Sequence, residues 1–239
     1  MGRIIGKFTI ALAVMLTACG GAPATTDGRD VSVRPDQFAL LPCDPKITIP
    51  CTLVVAGGKR ILFGAPAGVA NSLSPDDLKQ LDAVAIFSLT ALDLQGLDEV
   101  RNLSWHAGRS EPLPVIGPAG IEDVVAALNK AFEQADALHV VEHGIPVGGY
   151  DAAILTARTA AQDARVFDTG DLTVARSQSG YRIDYRSNDR TQVVWLKVCD
   201  APAKVPLTEA SDARVISVAC EGEGTDHAWP IRVPVFVEQ

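Results

Sequence analysis

Residues 85–97 read AIFSLTALDLQGL and decide how the rest of the chain is interpreted. The run continues a short apolar strand, predicted over Ala83–Phe87, into a polar loop. The loop carries hydroxyl groups at Ser88 and Thr90 and a carboxylate at Asp93, but no histidine or cysteine. Catalytic zinc sites are built mainly from histidine, cysteine and carboxylate ligands. Any function that this loop serves must therefore work with few metal ligands.

The segments before this run indicate a hairpin and then a helix. Residues 51–56 (CTLVVA) and 59–63 (KRILF) are β-prone and flank Gly57-Gly58, which predicts a tight hairpin. Ser74-Pro75-Asp76-Asp77 then combines a capping serine, a proline at the first helical position and acidic residues in the first turn. The sequence therefore predicts a helix beginning at Pro75.

After residue 97 the predicted elements are first a strand and a helix, and then mostly strands. Residues 114–116 predict a strand, and the apolar spacing of Ile121, Val124, Val125, Leu128 and Phe132 predicts a helix that ends near Gln134. Further strands are predicted over residues 138–147, 164–167, 172–175, 181–186, 191–198, 214–219 and 231–237. This order predicts stacked sheets with helices outside them.

The first 35 residues have the pattern of an exported, lipid-anchored protein. Arg3 and Lys7 precede an apolar run over residues 8–16, which is typical of a signal peptide, predicted here over residues 1–18. Leu16-Thr17-Ala18-Cys19 resembles the lipobox of bacterial lipoproteins, which implies lipidation of Cys19. Residues 19–35 are predicted to form a flexible tether, and residues 36–239 one domain.

The net charge of the chain argues against two kinds of binding, to nucleic acid and to anionic lipid headgroups. The chain has 21 basic and 29 acidic residues, and without Arg3 and Lys7 the net charge is about −10. Nucleic-acid binding requires a basic surface, so no nucleic-acid partner is expected. Electrostatic docking to anionic lipid is also disfavoured, so we expect membrane attachment through lipid on Cys19.

Four cysteines besides Cys19 suggest two disulfides in an oxidising compartment. Cys43 and Cys51 are close in sequence and form one predicted pair. Cys199 and Cys220 each end an apolar β-prone run, and the two could be bridged if those runs are neighbouring parallel strands. The alternative is that Cys199 and Cys220 are free buried thiols.

Several segments together resemble the metallo-β-lactamase fold, in the branch that includes ribonuclease Z and related phosphodiesterases. They are residues 52–65, 81–87, 96–100, 105–109, 112–120, 181–185 and 199–202. The resemblance covers roughly residues 50–221. It implies an α/β architecture, a metallo-β-lactamase-like αββα sandwich, C-terminally shortened because few residues follow Glu221.

The resemblance also implies that the metal ligands have been lost. The loop of that family reads His-x-His-x-Asp-His, and the four corresponding positions here are Ser88, Thr90, Leu92 and Asp93. Gly64 replaces the acid after the hairpin, the next histidine would fall near Asp171, and the bridging acid would fall at Cys199 or Asp200. A hydrolytic metal needs three or more ligands. We therefore expect no metal cofactor, the alternative being zinc in a reduced site with Asp93 and Asp200.

Three other features of the sequence are ambiguous. Residues 139–143 (HVVEH) match the His-x-x-Glu-His motif of inverted zinc peptidases, but the valines and Gly144 favour a strand or loop there. His106 is expected in a loop, as a structural or exposed residue. Arg101, Arg109, Arg182 and Arg186 could line an anion pocket or form a solvated face.

The sequence therefore predicts a bacterial envelope lipoprotein facing the periplasm. Gly20 after Cys19 indicates the outer membrane under the sorting rule of enteric lipoproteins. The expected function is non-catalytic binding of an unknown small molecule or envelope protein. The alternatives are a metal-dependent hydrolase resembling phosphodiesterases or ribonuclease Z, and a structural component of the envelope.

Overall fold

The structure, a computed structural model, describes residues 31–198, 213–221 and 225–237. Its thirteen described strands form two sheets. The first sheet has the spatial order β13 (Val235–Phe236), β1 (Phe38–Pro42), β2 (Thr52–Ala56), β3 (Lys59–Phe63), β4 (Ala83–Ala85), β5 (Leu113–Gly117) and β6 (Leu155–Thr159). The second has the order β12 (His227–Ala228), β11 (Arg214–Ala219), β10 (Arg190–Lys197), β9 (Gly180–Ser187), β8 (Leu172–Ser177) and β7 (Arg165–Asp168).

The described part of the chain contains four α-helices, all between strands of the first sheet. They are α1 (Pro75–Lys79), α2 (Ala91–Leu94), α3 (Leu97–His106) and α4 (Ile121–His143). Short 3₁₀ turns cover Val69–Ser72 and Asp151–Ala153. No described helix is both long enough and apolar enough to cross a bilayer.

Two apolar cores follow from the alternation of side chains along the first sheet. Val54, Ile61 and Phe63 point toward the second sheet and pack with residues such as Tyr181 and Ile183. Leu53, Leu62 and Val84 point the other way and pack with helix residues such as Leu78, Val100 and Val125. The helices α1, α3 and α4 therefore cover the outer face of the first sheet, and the prediction of stacked sheets with outer helices is confirmed.

The local predictions near the amino terminus are confirmed. The β2–β3 hairpin turns through Gly57 and Gly58, whose φ angles of 56° and 72° suit the tight turn that matches strand twist. Ser74 caps α1, with its side chain accepting a hydrogen bond from the Asp77 amide. Cys43 and Cys51 form the predicted disulfide, with Cα atoms 5.9 Å apart.

The predicted end of α4 near Gln134 and the predicted strand over residues 138–147 are wrong. Helix α4 continues to His143, where Gly144 is its C-cap with φ 83°. Its second half is held by a contact distant in sequence, because Asp136 pairs with Arg101 of α3 inside the protein. Local β-propensity at Val140 and Val141 is overridden by that tertiary contact. His106 ends α3 and does not lie in a loop.

Other differences concern strands with weak local signals. Strands β1 and β6 were not predicted, although both are paired along their whole lengths with β2 and β5. Strands β9 and β10, predicted as strands over residues 181–186 and 191–198, form a hairpin around Asn188 and Asp189. Strands β10 and β11 are parallel neighbours, which was the condition for a bridge between their ends.

The amino-terminal part of the described chain packs closely on the domain. Val31 and Val33, which fall within the predicted tether, are partly buried against the helix-side core. Tyr185 also donates a hydrogen bond to the Pro35 carbonyl at 3.4 Å. The predicted lipidation site Cys19 and the predicted site residues Cys199 and Asp200 lie outside the described residues.

Candidate functional site

The candidate site is the loop that follows β4, at one end of the two-sheet sandwich. The backbone fixes its start, since Gly64 donates to the Ala85 carbonyl at 2.8 Å and Ile86 donates to the Ile116 carbonyl at 2.7 Å. The Ala65 amide then donates to the Asp93 carbonyl at 3.2 Å. The loop is therefore anchored to both neighbouring strand ends of the first sheet.

Three of the four predicted positions form one polar network. The Ser88 hydroxyl donates to Oδ2 of Asp93 at 2.5 Å and lies 3.0 Å from Oγ1 of Thr90. The Thr90 amide in turn donates to Ser88 Oγ at 3.2 Å. Asp93 is only 8% exposed, so its carboxylate is directed into the loop. The loop thus uses its carboxylate to hold its own backbone in place.

The second sheet holds the loop through two residues that the sequence did not single out as site residues. Arg176 of β8 donates to the carbonyls of Ile86 and Phe87, at 3.1 and 2.8 Å. The Tyr181 hydroxyl of β9 donates to the same Ile86 carbonyl at 2.8 Å. The Arg176 guanidinium lies over the Tyr181 ring, 4.8 Å from its centroid. Only the packing of the sheets brings these residues to the loop, so no local sequence signal could have identified them.

Burial changes the acidity of this tyrosine. Desolvation raises the pKa of the Tyr181 hydroxyl, with Arg176 opposing the shift and Asp93 adding to it. The neutral hydroxyl is the donor that the Ile86 carbonyl requires. A tyrosine hydroxyl is already neutral at physiological pH, and burial moves the pKa of Tyr181 further from that range.

The described residues do not suit the metal pair that the resemblance implies. Ser88 and Asp93 are engaged with each other, and Leu92 has no ligand atom. Gly64, at the position of the missing acid, has φ 78°, and a Cβ there would collide with the Pro50 carbonyl oxygen. Within residues 31–198, 213–221 and 225–237, no three histidine, cysteine or acidic side chains converge in a way that could hold a metal ion.

Asp171 does not join the loop. It precedes β8, whose first residue Leu172 pairs with Tyr185. Tyr185 in turn lies beside the Gly57 turn, 3.1 Å from where a Cβ of Gly57 would be. That turn is at the opposite end of β3 from Gly64 and the loop. Asp171 is therefore at the far end of the sandwich and supplies no ligand to a site around Asp93.

Cys220 lies at the same end of the sandwich as the loop. It follows β11, and the Trp229 amide donates to the last carbonyl of that strand, Ala219, at 2.8 Å. The Trp229 ring is 6.1 Å from the Phe87 ring, next to the loop. Cys220 is disulfide-bonded, and its predicted partner Cys199 is outside the described residues.

The outer rim of the loop is apolar. Leu92 is 55% exposed, and Leu89 is also exposed beside the amino terminus of α4, where a Cβ on Gly120 would touch it. In the family that the chain resembles, these loop positions hold metal ligands. Here their side chains either belong to the polar network or are exposed to solvent. Such a surface can bind through apolar contact.

The His-x-x-Glu-His pattern lies on α4 and not on the predicted strand or loop. His139 stacks on His143 with ring centroids 4.8 Å apart, and on His106 of α3 at 3.9 Å. Burial lowers the pKa of His106, and the neighbouring His139 lowers it further. The rings of His106 and His139 lie beside buried Trp105, and the three histidine rings form a stacked cluster.

The four arginines considered for an anion pocket are not brought together at the loop. Arg101 of α3 and Arg109, three residues after the helix ends, are both buried. Arg101 donates to both oxygens of Asp136, and Arg109 donates to Ser104 and to the Glu111 carbonyl. Burial lowers the pKa of Arg109 to about 10, with Arg101 contributing. Arg182 pairs with Asp184 on β9, on the second sheet.

Sequence comparison finds a curated enzyme that is similar to less than half of the chain. The ribonuclease Z of Mycobacterium bovis (strain BCG / Pasteur 1173P2) is 32% identical to the chain over 105 residues. The match covers 42% of this chain and 38% of that enzyme, and the ribonuclease Z of strain Tokyo 172 gives the same values. The chain therefore spans about two fifths of the length of the curated relatives it matches. No protein-family profile matches the chain.

Comparison of structures gives broader coverage. The metallo-β-lactamase fold protein YhfI from Bacillus subtilis has a TM-score of 0.51 and 14% identity, with 80% of this chain and 77% of YhfI covered. The short form of human tRNase Z, ELAC1, has a TM-score of 0.43 and 14% identity, with 69% and 70% covered. At such low identity the likeness to YhfI concerns the fold alone.

Proposed function

We propose that this chain, which has the metallo-β-lactamase fold, is an envelope lipoprotein that binds a protein partner without catalysis. The binding surface would be the loop after β4, with Leu89 and Leu92 at its centre. The observation that carries the proposal is the contact between Ser88 and Asp93, which occupies the one carboxylate that the loop retains.

The exposed leucines support a protein partner over a small molecule. Large apolar side chains displayed on a surface are typical of the buried centres of protein interfaces, whereas small-molecule sites are concave. Leu92 is more than half exposed and lies between Thr90 and Asp93 of the polar network. Because Arg176 and Tyr181 fix the loop from behind, it can be bound with little loss of conformational entropy.

The proposed lipid attachment is supported by the residues around Cys19. The apolar run over residues 8–16 and the quartet Leu16-Thr17-Ala18-Cys19 support export and acylation. The Cys43–Cys51 disulfide is consistent with an oxidising compartment outside the cytoplasm. We propose the outer membrane as the location, with the domain facing the periplasm.

Position-specific crosslinking in intact envelopes tests the binding surface. A photo-crosslinking residue in place of Leu92 is expected to give one discrete protein adduct, which Leu89→Asp weakens. The same residue in place of Asp171, exposed at the opposite end of the sandwich, is the matched control. Equal adducts at both positions, or none at Leu92, would contradict the proposal.

The hydrolase alternative is tested on the full chain extracted in detergent without chelator. Zinc, iron and manganese are counted per chain, and hydrolysis of a bis-aryl phosphate is followed. Near-stoichiometric metal, with turnover that Asp93→Ala abolishes, would replace the binding proposal with a metal-dependent hydrolase. We expect neither the metal nor the turnover.

A further inference from the structure

The carboxyl end of α4 and the segment after it display four large aliphatic side chains. Leu138, Val141, Ile145 and Val147 are 56, 83, 58 and 87% exposed, and we call them the apolar ridge. Single exposed aliphatic residues are ordinary, but four within ten residues of chain form a patch that marks an interaction surface. The loop after β4 lies instead at the amino end of α4, where Leu89 adjoins Gly120.

The ridge points away from the domain because the other side of α4 is fixed. Asp136 is held by buried Arg101, and His139 stacks against the ring of Trp105 at a centroid distance of 5.4 Å. Val140 packs against the small cluster formed by Trp105, Ala152 and Ala153. Leu138 and Val141, three positions apart, then share the helix surface that is left uncovered.

The amino-terminal chain approaches the domain on the same face. Val31, the first described residue, lines a cavity of about 280 Å³ together with Leu73 and Asp77 of the α1 region. At the other end of α1, Lys79 and Val147 both lie within 4.0 Å of where a Cβ of Gly108 would be. Val31 and the ridge thus lie on the same outer face of the first sheet, with Val31 beside β1 near one edge and α4 beside β5 and β6 at the other.

The intervening chain is long enough to place Cys19 beside the ridge. Cys19 lies twelve positions before Val31, and twelve residues of fully extended chain span at most about 40 Å. Strands β1 and β6 are five strand spacings apart, a distance of about 24 Å across the first sheet. A lipid on Cys19 can therefore enter a bilayer that touches the ridge.

We infer that the apolar ridge rests on the lipid bilayer to which Cys19 is anchored, an inference that depends on the proposed lipidation. The bilayer is favoured over a second copy of the chain because the anchor emerges on the same face as the ridge. Residues 138–147 contain one acid and no lysine or arginine. Contact is therefore made by insertion of aliphatic side chains and not by attraction to anionic headgroups.

This contact orients the domain. The outer helices face the membrane, and the second sheet faces away from it. The loop after β4 then lies at the side of the domain, at the same distance from the bilayer as the first sheet, where a partner in the periplasm can reach it. The ridge thus sets the direction in which the proposed binding surface points.

The test uses the full lipidated chain in phosphatidylcholine vesicles. A fluorophore is attached to a cysteine replacing Val141, and quenching by lipids that carry a nitroxide near the headgroup is measured. The control label replaces Arg190, which is exposed on the second sheet, with the first sheet between it and α4. We expect strong quenching at Val141 and none at Arg190, with no loss at high salt.

A second variant separates insertion from folding. Leu138→Ser combined with Ile145→Ser leaves the label in place and is expected to weaken the membrane contact of the ridge by about a hundredfold, seen as loss of quenching, since each of the two buried aliphatic side chains contributes about tenfold. Circular dichroism of this variant should match that of the parent. Quenching that is equal at both label positions, or absent at Val141 in anchored protein, overturns the inference.

Two further outcomes are distinguished in the same samples. If the full chain fails to float with vesicles and Cys19→Ser makes no difference, the lipidation proposal fails. If the chain is anchored but the Val141 label is shielded by another protein molecule, shown by a dimer at low surface density, the ridge is a self-association surface and the inference fails while anchoring stands.

Discussion

The Ser88 hydroxyl donates a hydrogen bond to Oδ2 of Asp93 at 2.5 Å, across the loop that follows β4. In the metallo-β-lactamase fold this loop is where metal ligands are expected, and here it is closed by a hydroxyl and a carboxylate from the same segment. Arg176 and Tyr181 complete the arrangement from the second sheet. The loop is therefore held by hydrogen bonds within itself and from the second sheet.

Asp93→Ala is expected to destabilise the protein. The substitution removes a charge-assisted hydrogen bond at a nearly buried position, a contribution of about 2 kcal/mol. Asp93→Asn is the matched control, because the amide keeps an acceptor for Ser88 and should cost less. Urea denaturation gives the free energy of unfolding for each, and equal values for all three proteins would contradict the assigned role of the carboxylate.

Breaking the ion pair between Arg101 and Asp136 is expected to be costly. Their side chains are 0 and 4% exposed, with 2.5 Å between Nη2 and Oδ2. Asp136→Ala leaves an uncompensated guanidinium inside the protein, which costs about 3–5 kcal/mol. The double variant Arg101→Met with Asp136→Leu should recover most of that loss. A double-mutant cycle by denaturation measures both, and additive effects would show that the two side chains do not interact.

Gly64→Ala is expected to cost more stability than Gly58→Ala. Both glycines have positive φ, at 78° and 72°, so both substitutions pay about 1–2 kcal/mol for the left-handed conformation. Only at Gly64 does the new Cβ also meet the Pro50 carbonyl, whereas Gly58 has open space around it. Thermal melts of the two variants compare them directly. Equal losses would mean that the backbone beside Gly64 yields, so that an acid could be restored there.

The protein is expected to lose stability on acidification through His106. Burial and His139 lower the pKa of His106 in the folded state, so the unfolded chain binds its proton more readily. The free energy of unfolding should therefore be highest above about pH 6.5, the ordinary histidine value, and fall as the pH drops through it. His106→Gln should flatten the curve between about pH 8 and about pH 5. An unchanged slope in that variant would exclude His106 as the source.

The sequence by itself determined the elements that local chemistry specifies. Gly57-Gly58 fixed the first hairpin, Ser74 with Pro75 fixed the start of α1, and the spacing from Ile121 fixed the start of α4. Short-range turn and capping preferences act within a few residues, so they can be read without knowledge of the fold. The order of these elements was also enough to predict stacked sheets with outer helices. The metallo-β-lactamase fold was predicted from the resemblance of several segments, and the Cys43–Cys51 disulfide from the closeness of the two cysteines in the sequence.

Only the tertiary structure decided how distant segments meet. It extended α4 to His143 through the pairing of Asp136 with Arg101, 35 residues apart. It placed Asp171 at the end of the sandwich away from Asp93, and it brought Arg176 to a carbonyl 89 residues away. It also left the side chains of the apolar ridge exposed to solvent. Side-chain burial and long-range pairing depend on how sheets and helices pack, which no local pattern encodes.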